Sequence, residues 1–198
     1  MTPFSKLTKN YEEYLLRLIF GREVRPSVCI SRAYGDFKRT LKGITKLPNA
    51  DSLHTKAERV LTDALTTLKT RLEKPMAQSD FDDWHRKTCD DLVAFYGNTF
   101  AFYAGQAQKW VNMTLKYIFT VGEEHIPGFA PAYTLCHAPL DNIVLEELTR
   151  YGLDWPSKAW SQFDYDEYFK CQKWMRDKFT PTPLLSVEFF LWTGLASE

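Results

Sequence analysis

Apolar residues recur along this chain at helical intervals. Tyr11, Tyr14, Leu15, Leu18 and Ile19 form one stripe, closed by Gly21 with Pro26 beyond it. A short amphipathic piece is expected over 33–43. Ala57, Val60, Leu61, Ala64, Leu65 and Leu68 make a clearer stripe across 55–72, stopped by Pro75. Ser79 stands where it would cap a helix whose first turn carries Asp80, Asp82 and Asp83, a place where the helix dipole favours negative charge. That helix should run through Trp84 and Leu92 to about Tyr96, ending near Gly97. Further helices are expected over 107–119, 140–151 and 164–179. A Pro156-interrupted turn precedes the last of these, and a final apolar stretch follows over 184–191. Residues 121–138 hold Gly122, Pro127, Gly128 and Pro131 and form a long irregular connection, of the sort that is functional or crosses between lobes. Alternating strand patterns are missing. The pattern predicts an all-α fold.

Composition agrees with a packed domain. The chain has 198 residues, 44% hydrophobic and 25% charged, with an aromatic content of 15% that can supply much buried area. Disordered, collagen-like and coiled-coil classes are excluded on that balance. No run approaches the roughly 20 apolar residues of a spanning helix, and no signal peptide opens the chain, so a cytoplasmic protein without a membrane partner is expected. Cys29, Cys89, Cys136 and Cys171 are scattered without CxxC spacing. Zinc and iron–sulfur ligation are therefore unsupported, and four buried thiols in a reducing compartment are the expectation.

Formal net charge is zero but unevenly placed. Residues 1–50 carry 10 basic against 4 acidic side chains, while each later quarter is mildly acidic. A polyanion would be attracted to Arg17, Arg22, Arg25, Arg32, Lys38, Arg39, Lys42 and Lys46. A solvated basic face explains the same charges.

Familiar site patterns fail. Gly-rich phosphate loops and a GxSxG elbow are both missing. Asp82 and His85 share a helix face, and Glu123 and His125 lie in a polar loop, but neither pair gathers a third ligand by sequence. One segment carries more: Tyr103-Ala104-Gly105-Gln106-Ala107-Gln108-Lys109-Trp110-Val111-Asn112-Met113-Thr114-Leu115. It resembles the hairpin and following helix of the helix-hairpin-helix DNA glycosylase superfamily, whose endonuclease-III-like members read L-P-G-V-G-R-K-T-A-N-V-V-L. Gly105 falls on the first hairpin glycine, Lys109 on the catalytic lysine and Asn112 on the asparagine three residues later. Ala107 replaces the second glycine, so the hairpin is degenerate. Ala138-Pro139-Leu140-Asp141-Asn142 resembles the context of the family's second signature and places Asp141 on its aspartate. Ile143 stands where the family has a basic residue or histidine. The spacing of 32 between Lys109 and Asp141, and a second lysine at Lys116, are similar to the archaeal 8-oxoguanine glycosylase branch.

The resemblance implies a DNA glycosylase with abasic-site lyase activity, acting on a damaged or modified base through a lysine Schiff base. Lys109 would be the nucleophile, freed by partial desolvation, and Asp141 its electrostatic and acid/base partner. Residues 104–108 (Ala104, Gly105, Gln106, Ala107, Gln108) would grip DNA phosphate, with Trp110 and Asn112 in support. No metal or organic cofactor is implied. Trp110, Phe102, Trp155 and Trp174 are candidates to stack against an extruded base. The fold implied is two helical lobes with DNA in the cleft between them: 26–137, ending in the hairpin and the Lys109 helix, and 1–25 plus 138–198, carrying Asp141. A non-catalytic helical module binding nucleic acid or protein is the first rival reading. A hydrolase using Asp82, His85 and Glu123 is the second.

Overall fold

A computed structural model describes residues 3–155 and 158–193, so the expected turn at Pro156 lies outside the described residues. The described residues form eight α-helices and no strand. They are α1 (Pro3–Phe20), α2 (Pro26–Phe37), α3 (Ala50–Arg71), α4 (Gln78–Tyr96), α5 (Ala104–Val121), α6 (Asn142–Arg150), α7 (Tyr165–Phe179) and α8 (Leu184–Thr193). Four one-turn helices fill connections, at Lys38–Thr40, Ile44–Lys46, Ala130–Ala132 and Trp160–Gln162. The described residues include no helix long and apolar enough to cross a membrane.

The element types follow the periodicity, and the boundaries follow local chemistry. Pro26 does not merely end what precedes it; it opens α2, where its missing N–H costs nothing. The second helix therefore starts well before the expected 33. Ser79 is not a cap, because α4 begins at Gln78 and the Asp80 carboxylate accepts from the Ala77 amide at 3.3 Å. Asp164 does cap α7: its side chain accepts from the Glu167 amide at 2.9 Å while Glu167 accepts from the Asp164 amide at 2.8 Å.

α5 is the axis of the fold. Twelve consecutive residues, Ala104 to Leu115, are buried, as befits a helix surrounded on all sides. It packs against α2, α4, α7 and the turn at Trp160–Gln162. A single hydrophobic cluster extends from Phe20 to Leu191 and takes in Phe37, Leu61, Phe81, Trp110, Leu145 and Tyr168. The four cysteines are buried within it as free thiols.

Candidate functional site

Gly105 sets how closely the chain can wrap the start of α5. Its amide donates to the Phe163 carbonyl at 2.9 Å, and a Cβ at this position would stand 1.9 Å from the Trp160 carbonyl oxygen. Only glycine permits that approach. The neighbouring amides are also engaged, Gln106 and Ala107 both donating to the Tyr103 carbonyl. The expected phosphate grip over 104–108 therefore needs correction: all five residues are buried, and the amides of Gly105, Gln106 and Ala107 are satisfied internally. Ala104 and Ala107 serve close packing. Gln106 binds Thr40 through its amide nitrogen, to Oγ1 at 3.1 Å.

Gln108 does something sequence reasoning missed. It clamps Leu140 by both backbone groups, Nε2 donating to the carbonyl at 3.0 Å and Oε1 accepting from the amide at 3.2 Å. Gln172 on α7 clamps Ala138 in the same manner, at 2.8 and 2.9 Å. Two buried glutamines thus fix residues 138–140, and these deliver Asp141 to the start of α6. A glutamine on an otherwise apolar helix face was the available signal.

Asp141 then caps α6, Oδ1 accepting from the Val144 amide at 3.0 Å. Its Oδ2 lies 2.7 Å from Lys109 Nζ. The two side chains singled out from sequence, 32 positions apart, do meet. Lys109 is 6% exposed and Asp141 16%, so the contact sits just beneath the surface. Seven residues further along α5, Lys116 forms a second pair with Glu188 of α8 at 2.6 Å. Burial pushes the Glu188 carboxyl up; Lys116 beside it pulls in the opposite direction, as Lys109 does from further away. Two ammonium and two carboxylate groups thus share one partly desolvated stretch along a single helix face.

Behind this face lies a buried polar network centred on Asn112. His85 Nε2 approaches Asn112 Oδ1 at 3.0 Å, and Asn112 Nδ2 donates to Tyr168 Oη at 2.9 Å and Gln108 Oε1 at 3.1 Å. Tyr165 Oη sits 2.8 Å from His85 Nδ1, and Tyr168 Oη 2.7 Å from His137 Nδ1. His137 Nε2 is 2.8 Å from Asp82, which also receives both amino groups of Arg176 at 2.6 and 2.7 Å. One assignment satisfies every contact: both imidazoles are neutral and protonated on Nε2, with the tyrosine hydroxyls donating to Nδ1. Burial holds both histidines below their usual range, His85 furthest. At Asp82 burial acts upward, yet hydrogen bonds from His137 and Arg176 outweigh it and the net shift is downward.

Other sequence candidates fall elsewhere. Trp110 is fully buried and donates to the Ile30 carbonyl at 2.9 Å, and Phe102 stacks on Tyr96 at 4.3 Å; both are core residues, not surfaces for a base. Trp155 and Trp174 are partly buried and pack on Phe163 and Phe179. Glu123 braces its own loop through the amides of Gly128 and Ala130, away from Asp82 and His85, so the hydrolase triad does not assemble. Asp82 is an anchor for Arg176 instead of a solvated first-turn acid. No cluster of three or more His, Cys, Asp or Glu side chains suited to a metal occurs among the described residues. Of the basic quarter, Arg39 and Lys42 line a groove of about 390 Å³ with Tyr103 and Gln106, at the start of α5.

No protein family, curated protein or solved structure matches this chain.

Proposed function

We propose that this chain is a DNA glycosylase with abasic-site lyase activity, using Lys109 as nucleophile. The observation that carries the reading is the 2.7 Å contact between Lys109 Nζ and Asp141 Oδ2, with the carboxylate at a helix N-terminus. Asp141 accepts a proton from the ammonium, and the freed amine attacks C1′ of an extruded nucleotide. The C1′–N bond breaks, its electron pair leaving with the base, which is protonated. Loss of the Nζ proton and sugar-ring opening give an imine between Lys109 and C1′. Removal of a C2′ proton then expels the 3′ phosphate. In this reading DNA lies in a cleft between a lobe of 26–137 and a lobe of 1–25 plus 138–198, and Arg39 and Lys42 contribute phosphate contacts beside α5.

Borohydride trapping tests it. Wild-type protein incubated with a duplex bearing one natural abasic site should yield a covalent adduct, and Lys109→Ala should yield none. Absence of a wild-type adduct would overturn the enzyme. The rival, a non-catalytic module binding nucleic acid or protein, draws on the 6% exposure of Lys109, which fits a structural ion pair equally. DNA binding without trapping is its signature.

A further inference from the structure

Lys116 lies on the same face of α5 as Lys109, seven residues or about 10 Å along the axis. Beside it opens a cavity of about 230 Å³ between α5 and α8. Its walls are the rings of Phe119, Phe189 and Phe190, and its polar rim is Ser186 and Tyr133, whose oxygens are 2.8 Å apart. Phe189 and Phe190 are about half exposed, at 55% and 49%, and so present their rings to solvent at the cavity mouth.

The cation in this groove is held in place. Glu188, 1% exposed, binds Lys116 through Oε2 and has no hydrogen-bond partner for Oε1 among the described residues. Such a buried carboxylate is tolerated because the ammonium is beside it, and it fixes the ammonium in return. Lys116 Nζ comes to rest 5.8 Å from the ring centre of Phe189 and 5.7 Å from that of Trp192. A flat, electron-rich heterocycle with carbonyl or imino acceptors suits these features: rings to stack on, a fixed donor at the edge, and hydroxyls beyond. The cavity is smaller than the roughly 300–1,000 Å³ that holds drug-sized ligands, matching one ring system better than a larger molecule.

We infer that the α5–α8 groove receives the nucleobase whose sugar is presented to Lys109 and Asp141. Stacking on Phe189 or Phe190 and a hydrogen bond from Lys116 would select the base. This rests on the glycosylase reading, since the Lys109–Asp141 pair about two turns back along α5 is what makes a nucleotide the occupant.

The test has two arms. In the first, free adenine, hypoxanthine and uracil are titrated against the intact protein by ligand-detected NMR. Saturable binding of at least one base, weakened on the order of tenfold in Phe189→Ala or in Phe190→Ala, supports the inference, that factor being what one lost aromatic stack costs. Both rings are exposed, so these variants should fold. The paired replacement Lys116→Met with Glu188→Gln, which leaves no lone buried charge, should weaken binding similarly. No binding, or binding indifferent to all three, overturns the groove. In the second arm, wild-type protein is trapped on abasic duplex, which has no base to hold, so that the enzyme is read apart from the groove. Loss of wild-type trapping fails the enzyme, whereas intact trapping with no base binding fails the groove alone.

Discussion

Asp141 binds Lys109 and the start of α6 with different oxygens: Oδ2 takes the ammonium at 2.7 Å and Oδ1 takes the Val144 amide at 3.0 Å. Capping and charge can therefore be separated by chemistry.

Asp141→Asn should do so. Asparagine caps a helix about as well as aspartate, so the α6 cap is kept, while the loss of charge leaves the nearly buried Lys109 ammonium unpaired and lowers thermal stability. The negative charge beside Lys109 is lost, and borohydride trapping should slow by about a hundredfold or more, the usual scale of acid/base assistance. Equal trapping rates in the two proteins would assign Asp141 to the cap alone.

Gly105→Ala should be among the most damaging single-methyl additions. The new Cβ would meet the Trp160 carbonyl at 1.9 Å, and relief requires moving the 160–163 segment off α5. We expect a loss of about 3 kcal/mol or more in urea unfolding, beyond ordinary overpacking.

Asn112→Ala removes the hub joining His85, Gln108 and Tyr168. Several buried polar groups lose partners together, which should cost roughly 3 kcal/mol or more by denaturant titration.

How legible was this from sequence? Helix type was, because stripes such as Ala57 to Leu68 repeat over several turns. The meeting of Lys109 with Asp141 was foreshadowed only by motif resemblance; periodicity says nothing about partners 32 residues apart. The clamping roles of Gln108 and Gln172 went unread, Gln108 being assigned to a phosphate grip, because a glutamine on an apolar helix face does not name the distant backbone it holds. Burial of 104–108 was equally hidden, since small residues suit a phosphate loop and a tight helix crossing alike. Trp160 and Phe163, which decide between them, lie more than fifty residues away.

Stability should fall on mild acidification. Burial holds His85 and His137 below their ordinary value of 6.5, so the unfolded chain binds more protons than the native one from about that pH downward. Stability is retained above the unfolded value and lost as pH drops through the folded ones. Asp82, shifted down from 3.8, adds a further loss only at lower pH. Melting temperatures between pH 8 and 5 should decline, and a flat profile would contradict the neutral-imidazole assignment.

Replacing both Arg39 and Lys42 by Gln should weaken DNA binding and flatten its salt dependence. Each phosphate contact contributes about 0.9 to the slope of log K against log salt, so the slope should drop by about two. An unchanged slope in fluorescence anisotropy would place the nucleic-acid face elsewhere.

The wrapping of residues 104–115 of α5 on every side has a consequence for motion. Their amides should be the last in the molecule to exchange with deuterated water, opening only when the whole domain does. Lys109 is thus mounted on the stiffest rod available, while the groups around it on α6 and α8 belong to shorter, outer helices. Any widening needed to admit a bulky guest would fall to those outer helices, leaving the amine where it stands.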